Sequence, residues 1–190
     1  MTTKEKLFEA AKIIFSEKGY WNTRVSDIVK KAGVAQGTFY LYFKSKEDIF
    51  REIVIQIKDS IVKVLTETQG NTFFEKIEKM NTQIVILLYE NRAITEIFLY
   101  QLFSTHKELR NIYFQTVEFA RKRLAELVSE GIKNKEIKKV NPENVANLLI
   151  GYKRMVFEDY ILSKECPLKK VMELSREGLK IILDGIKRKV

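Results

Sequence analysis

The chain has 190 residues, 45% of them hydrophobic and 31% charged, a balance that excludes a disordered polymer. Its net charge of +9 admits phosphate-bearing partners but does not locate them, because the excess is spread along the chain. A single Cys and a single His exclude an internal disulfide and a His/Cys zinc site, which needs about four such ligands. No metal or cofactor is therefore expected. No window reaches the roughly 18 apolar residues of a membrane span. The N-terminal segment lacks an apolar run and carries Glu5 and Glu9, so no signal peptide is expected and the reading is cytoplasmic.

With 2 prolines and 8 glycines, long helices are expected throughout. In "TTKEKLFEAAKIIFSEKG", Leu7, Phe8, Ala11, Ile14 and Phe15 share a helical face; Thr3 reads as its cap, with Lys18 and Gly19 at its end. Thr23 reads as the cap of a second helix, "RVSDIVKKA", closed by Gly33. "VAQGTFYLYF" makes a short third helix, and "SKED" from Ser45 reads as a capping box opening a long fourth. That helix keeps Ile49, Phe50, Ile53, Ile57, Ile61, Val64 and Leu65 on one stripe until "TQGN". Beyond it come "TFFEKIEKMNTQIVILLYEN", "RAITEIFLYQLFST" and a helix from about Lys107 to Lys133. The last two helices are "NPENVANLLIGYKRMVFEDYILSK", opened by Asn141 and Pro142, and Leu168 to Lys189. The expected fold is all-α: three short N-terminal helices (residues 1–46), then a long connecting helix and a larger helical domain (residues 47–190).

Two short helices joined through Gly33 make a helix-turn-helix, whose second helix enters the major groove of DNA. Phe39 and Phe43, four apart, face the small core, and Val34 plugs the turn. Gln36, Thr38, Tyr40 and Tyr42 are left on the other faces. A Gln can bond adenine twice, a Thr methyl can touch thymine, and Tyr hydroxyls can bond phosphate oxygens. Lys44 and Lys46 flank the start of the fourth helix, where phosphate is attracted. Singly, each of these residues reads as core or as solvated surface; their conjunction carries the inference.

"GVAQGTFYLYFKSKEDIF", with "LFEAAKIIFSEKGYWNTRVSDIVKKA" before it, is similar to the DNA-binding segment of TetR/AcrR-family transcriptional regulators. The resemblance covers about residues 5–52. It implies an N-terminal helix-turn-helix domain and a larger C-terminal domain that binds a ligand and dimerises. It also implies DNA contacts from Thr23, Gln36, Thr38, Tyr40, Tyr42 and Lys46, with Arg24 and Lys44 beside them. Two positions depart from the family pattern. Ala35 stands where a Ser is common, and Leu41 replaces a frequent His; each substitution removes a polar contact.

The resemblance further implies a homodimer on a palindromic double-stranded operator, joined through the last two helices, where Leu148, Val156, Tyr160, Leu179, Ile182 and Ile186 are the expected contacts. The middle helices are rich in large side chains. Phe98, Phe103, Tyr113, Phe119, Tyr152 and Phe157 are the expected lining for a small apolar or amphipathic effector, with Arg121 as a partner for an acidic head group. The expected function is a repressor released when that ligand shifts the population toward a state that does not bind DNA. The alternative is a ligand-independent DNA binder whose C-terminal domain contacts a protein. An enzyme is not expected, since neither a glycine-rich phosphate loop nor a nucleophile motif is present. Glu and Asp alternate with Lys on the polar faces, which argues against a membrane-surface protein.

Overall fold

The computed structural model describes residues 1–163 and 165–188. Its helices run α1 Thr3–Asn22, α2 Val25–Ala32, α3 Gln36–Tyr40, α4 Lys46–Glu67, α5 Phe73–Glu90, α6 Arg92–Ile97, α7 Lys107–Lys133, α8 Pro142–Val156 and α9 Leu168–Ile186. Wider π-type turns follow α6 over Phe98–Leu102 and α8 over Phe157–Ile161. Among the described residues there is no β-strand, only one backbone bridge between Ile137 and Lys187. The expected ends of the last two helices at Lys164 and Lys189 lie outside the described residues.

The local chemistry explains most boundaries. Thr2, rather than Thr3, caps α1: its Oγ1 accepts from the Glu5 amide, and the Glu5 carboxylate accepts from the Thr2 amide at 2.7 Å. Gly19 leaves helical geometry with φ 74°, as its position in the sequence suggested, but the chain resumes its turn and α1 ends at Asn22. Asn141 caps α8, its side chain accepting from the Asn144 amide at 3.0 Å with Pro142 in the first turn.

The chain forms two compact units. The first takes Met1–Lys58 with Ala93–Ile112, the second Asp59–Arg92 with the chain from Tyr113 onward. In the first, Phe15 packs edge-on against Phe50 at 5.2 Å and stacks on Tyr20 at 5.7 Å, while Phe39 and Phe43 lie 5.6 Å apart. Leu7, Ile28, Ile49 and Ile53 close the rest of that core. In the second, Phe73, Ile77, Met80, Leu127, Val128, Val145, Leu149, Leu179 and Leu183 form one continuous core of α5, α7, α8 and α9. The loop after α7 docks on its own unit: the Glu136 carboxylate accepts from the Phe73 amide at 2.8 Å, and the Lys138 amide donates to the Ile186 carbonyl.

Candidate nucleic-acid interface

The turn between α2 and α3 is built by Gly33, which sits at φ 68° in the left-handed region. Its amide donates to the Lys30 carbonyl and the Val34 amide reaches back to Val29, satisfying the last carbonyls of α2. Ala35 begins α3 without a side-chain cap. Phe39 is fully buried and pins α3 to the core, which turns the other faces outward. Gln36 and Gly37 are exposed, Thr38 is half-buried, and Tyr40, Leu41 and Tyr42 are 55%, 80% and 44% exposed. A Cβ at Gly37 would meet nothing within 4 Å, so its missing side chain leaves room for another surface. Five residues thus present an amide, a hydroxyl, two phenols and a bare aliphatic tip on one ridge, while Arg24 and Lys44 stand exposed beside it.

Two expected contacts are placed differently. Thr23 was read as a helix cap and a DNA contact, but it is 1% exposed and its hydroxyl donates to the Gly19 carbonyl at 2.7 Å. The kink at Gly19 leaves that carbonyl without a helical partner, and Thr23 fills the place. The cap of α2 is Arg24, whose amide donates to Asp27 at 2.9 Å. Lys18 also donates to Asp27, and chiefly this bond, then the Arg24 amide, holds that carboxyl below its usual range.

Lys46 is half-committed. Its ammonium donates to the carbonyls of Tyr20 at 2.9 Å and Thr23 at 3.0 Å and lies 4.4 Å from the Tyr20 ring centre. A cation thus terminates α1, where carbonyls and the helix dipole favour it, and two of its three N–H groups are engaged by those carbonyls. At the α4 start, Ser45 Oγ accepts from the Asp48 amide, as the capping box predicts. Asp48 reaches one residue further back than expected, to the Lys44 amide at 2.9 Å. That amide bond is the main reason the Asp48 carboxyl titrates below its usual range.

The model for bacterial regulatory proteins of the tetR family matches residues 3–53, and the Tetracyclin repressor-like C-terminal domain matches residues 75–182. The chain belongs to the TetR family. It is a helix-turn-helix transcriptional regulator, not an enzyme. A TetR/AcrR-family regulator from Aquifex aeolicus is 32% identical, with a TM-score of 0.78 over 95% of this chain and 99% of that one. The Bacillus subtilis regulator FadR, solved with stearoyl-CoA, is 26% identical, with a TM-score of 0.74 over 96% and 99%. The uncharacterised Bacillus subtilis regulator YdgC is 29% identical over 192 residues, 97% of this chain and 92% of that one.

In this TetR-family chain the expected effector residues fall in both units. Phe98 and Phe103 pack edge-on at 5.9 Å in the first unit. Tyr113, Phe119, Arg121, Tyr152 and Phe157 belong to the second. Tyr152 joins α8 to α9: its hydroxyl donates to the Leu174 carbonyl at 2.7 Å, and its ring fills the space beside Gly178 that a Cβ would need. Arg121 pairs with Glu118 and donates to Asn147, and Phe119 is 38% exposed. None of the seven lines the groove between α5 and α9 that is bordered by Lys79, Asn81, Gln83 and Arg176.

Of the expected dimer contacts, Val156, Leu179 and Ile186 are buried within the second unit, because α8 and α9 pack those stripes against each other and against α5. Leu148 is 59% exposed, and Tyr160 and Ile182 are half-buried. Two exposed apolar residues were missed, Met155 on α8 and Ile181 on α9. Their signal was present in the helical spacing Leu148, Gly151, Met155 and Ile181, Gly185. A Cβ at either of these glycines would meet nothing within 4 Å.

Proposed function

We propose that this regulator binds a palindromic double-stranded operator as a homodimer, represses there, and is released by a small apolar or amphipathic effector in the cytoplasm. The observation that carries the DNA part is the outward face of α3. Gln36 and Tyr40 are exposed on a helix whose buried residue, Phe39, fixes its rotation, and Tyr42 is exposed in the turn that follows. Residues 1–46 serve as the DNA-binding domain and 47–190 as the effector and dimer domain. Gln36 and Thr38 read base edges; Tyr40, Tyr42, Lys44, Arg24 and Lys46 hold phosphates.

The dimer reading rests on Leu148, Met155 and Ile181. These apolar side chains lie on helices that are otherwise amphipathic, next to glycines that allow close approach. Two such subunits place two recognition helices on half-sites one helical turn apart, about 34–36 Å. The effector reading draws on FadR, the neighbour solved with stearoyl-CoA. The effector can weaken operator binding only by as much as it prefers the state that does not bind DNA.

The test is an electrophoretic shift assay on a palindrome selected from random DNA, followed by a scan of acyl-CoA esters of increasing chain length. A retarded dimer complex, dissolved by one range of chain lengths, is the expected result. Equal affinity of every ligand for the free and the operator-bound protein would overturn the release mechanism.

A further inference from the structure

Inside the second unit three helices meet around one amine. Lys153 of α8 donates through Nζ to Asn81 Oδ1 of α5 and to Ser175 Oγ of α9, the latter at 3.0 Å; the Ser175 hydroxyl in turn donates to Asn81 Oδ1 at 2.9 Å. Asn81 is 9% exposed and Ser175 fully buried. A neutral amine has two N–H groups and finds two acceptors here. An ammonium has three, and the third has no acceptor among the described residues. Among the described residues no carboxylate joins the cluster. Glu78 and Lys79 on α5, Arg154 on α8, Glu158 in the π-type turn after it, and Arg176 and Glu177 on α9 are all exposed. Burial alone pulls the Lys153 amine from its ordinary value down to about 7.

A buried cation without a counter-ion is costly, and a ligand anion can supply what the fold omits. Asn81 is the way in, because it also borders the groove between α5 and α9, a space of about 340 Å³. That is small-molecule size. At its rim Arg176 offsets the one lining acid, Glu78, while Lys79 is held by the Glu75 carboxylate at 2.6 Å, so the rim itself is close to neutral and the uncompensated charge is that of Lys153. One amine, on a residue half-buried between neutral side chains, balances a single negative charge, not two.

We propose that this groove is a site for a small organic monocarboxylate, whose carboxylate takes the third N–H of Lys153 and makes it a full ammonium, with Asn81 as the side chain that yields to admit it. The inference rests on the effector-responsive reading and adds the chemistry of the ligand: above pH 7, binding takes up a proton at Lys153.

Hexanoate is the probe, titrated calorimetrically against the full chain without DNA at pH 6, 8 and 9. Affinity is expected to be highest at pH 6 and to fall about tenfold from pH 8 to pH 9, because the protonated fraction falls tenfold per unit above the amine's pKa. Lys153→Arg, charged at every pH, should flatten this dependence; Lys153→Met should abolish binding. In wild-type protein, ¹³Cε-lysine NMR should show one low-titrating lysine whose pKa rises on saturation, a readout that needs no variant to fold. Absence of binding at pH 6, pH-independent affinity, or unchanged binding by Lys153→Met would each overturn the site. Release from DNA is scored separately. Acyl-CoA release without hexanoate binding removes this site and keeps the repressor reading, whereas hexanoate binding without any effector-driven release supports this site and removes that reading.

Discussion

Lys46 separates a structural role from a DNA-binding one. Its ammonium holds two carbonyls at 2.9 and 3.0 Å and covers the Tyr20 ring at 4.4 Å. A hydrogen bond from a charged donor contributes roughly 1.5–3 kcal/mol when buried, and a cation–π contact roughly 0.5–1. Lys46 is half-buried, so solvent screening reduces the total. Lys46→Met keeps the aliphatic stem and removes the charge. It should cost about 2 kcal/mol, and about 4–8 °C in Tm if a chain of this size unfolds as one unit. The comparison is Lys44→Met, which is exposed and loses no internal side-chain bond in the structure. Urea unfolding followed by circular dichroism measures both, and anisotropy on operator DNA measures their affinity. The expected pattern is weaker DNA binding in both variants but lost stability only in Lys46→Met. Equal stability of the two variants would refute the bracing role of Lys46.

Other expected outcomes are equally specific. Gly33→Ala forces a β-carbon onto a φ of 68° in open space and should cost about 1 kcal/mol by urea unfolding. Gln36→Ala should relax base preference at one operator position in a binding-site selection, while Tyr40→Ala should weaken all sites about equally. Leu148→Arg together with Ile181→Asp should yield monomers in analytical ultracentrifugation and leave the helical content intact. With its amine at about 7 in the folded state and near 10.5 in the unfolded chain, Lys153 holds fewer protons folded than unfolded between those values. Stability should therefore rise from pH 7 to pH 9, by on the order of 1–2 kcal/mol, and Lys153→Met should lose that slope.

The α2–turn–α3 segment was legible because each residue has a single role there. Gly33 supplies the left-handed turn, Phe39 the anchor, and the polar residues face outward because Phe39 faces in. The bounds of α7 were legible from period alone, Lys107 to Lys133. Thr23 was misread because a Thr before a helical run signals a cap. Nothing local announces that Gly19 frees a carbonyl four residues earlier. Val156, Leu179 and Ile186 were misassigned because α8 and α9 carry apolar residues on more than one face, and periodicity cannot say which face turns inward. The Asn81–Lys153–Ser175 cluster was not legible. Lys153 stands beside Arg154 in the sequence with nothing to tell the two cations apart, and its two partners lie 72 and 22 positions away in the chain.

The most direct test of the account is fluorescence anisotropy of the purified protein on the DNA upstream of its own gene, against scrambled DNA of equal length, at two salt concentrations. Tight binding to the first and weak binding to the second are expected, each weaker at higher salt, with two subunits per complex. Equally weak binding to both sequences, before and after refolding from denaturant to strip any retained effector, would contradict it.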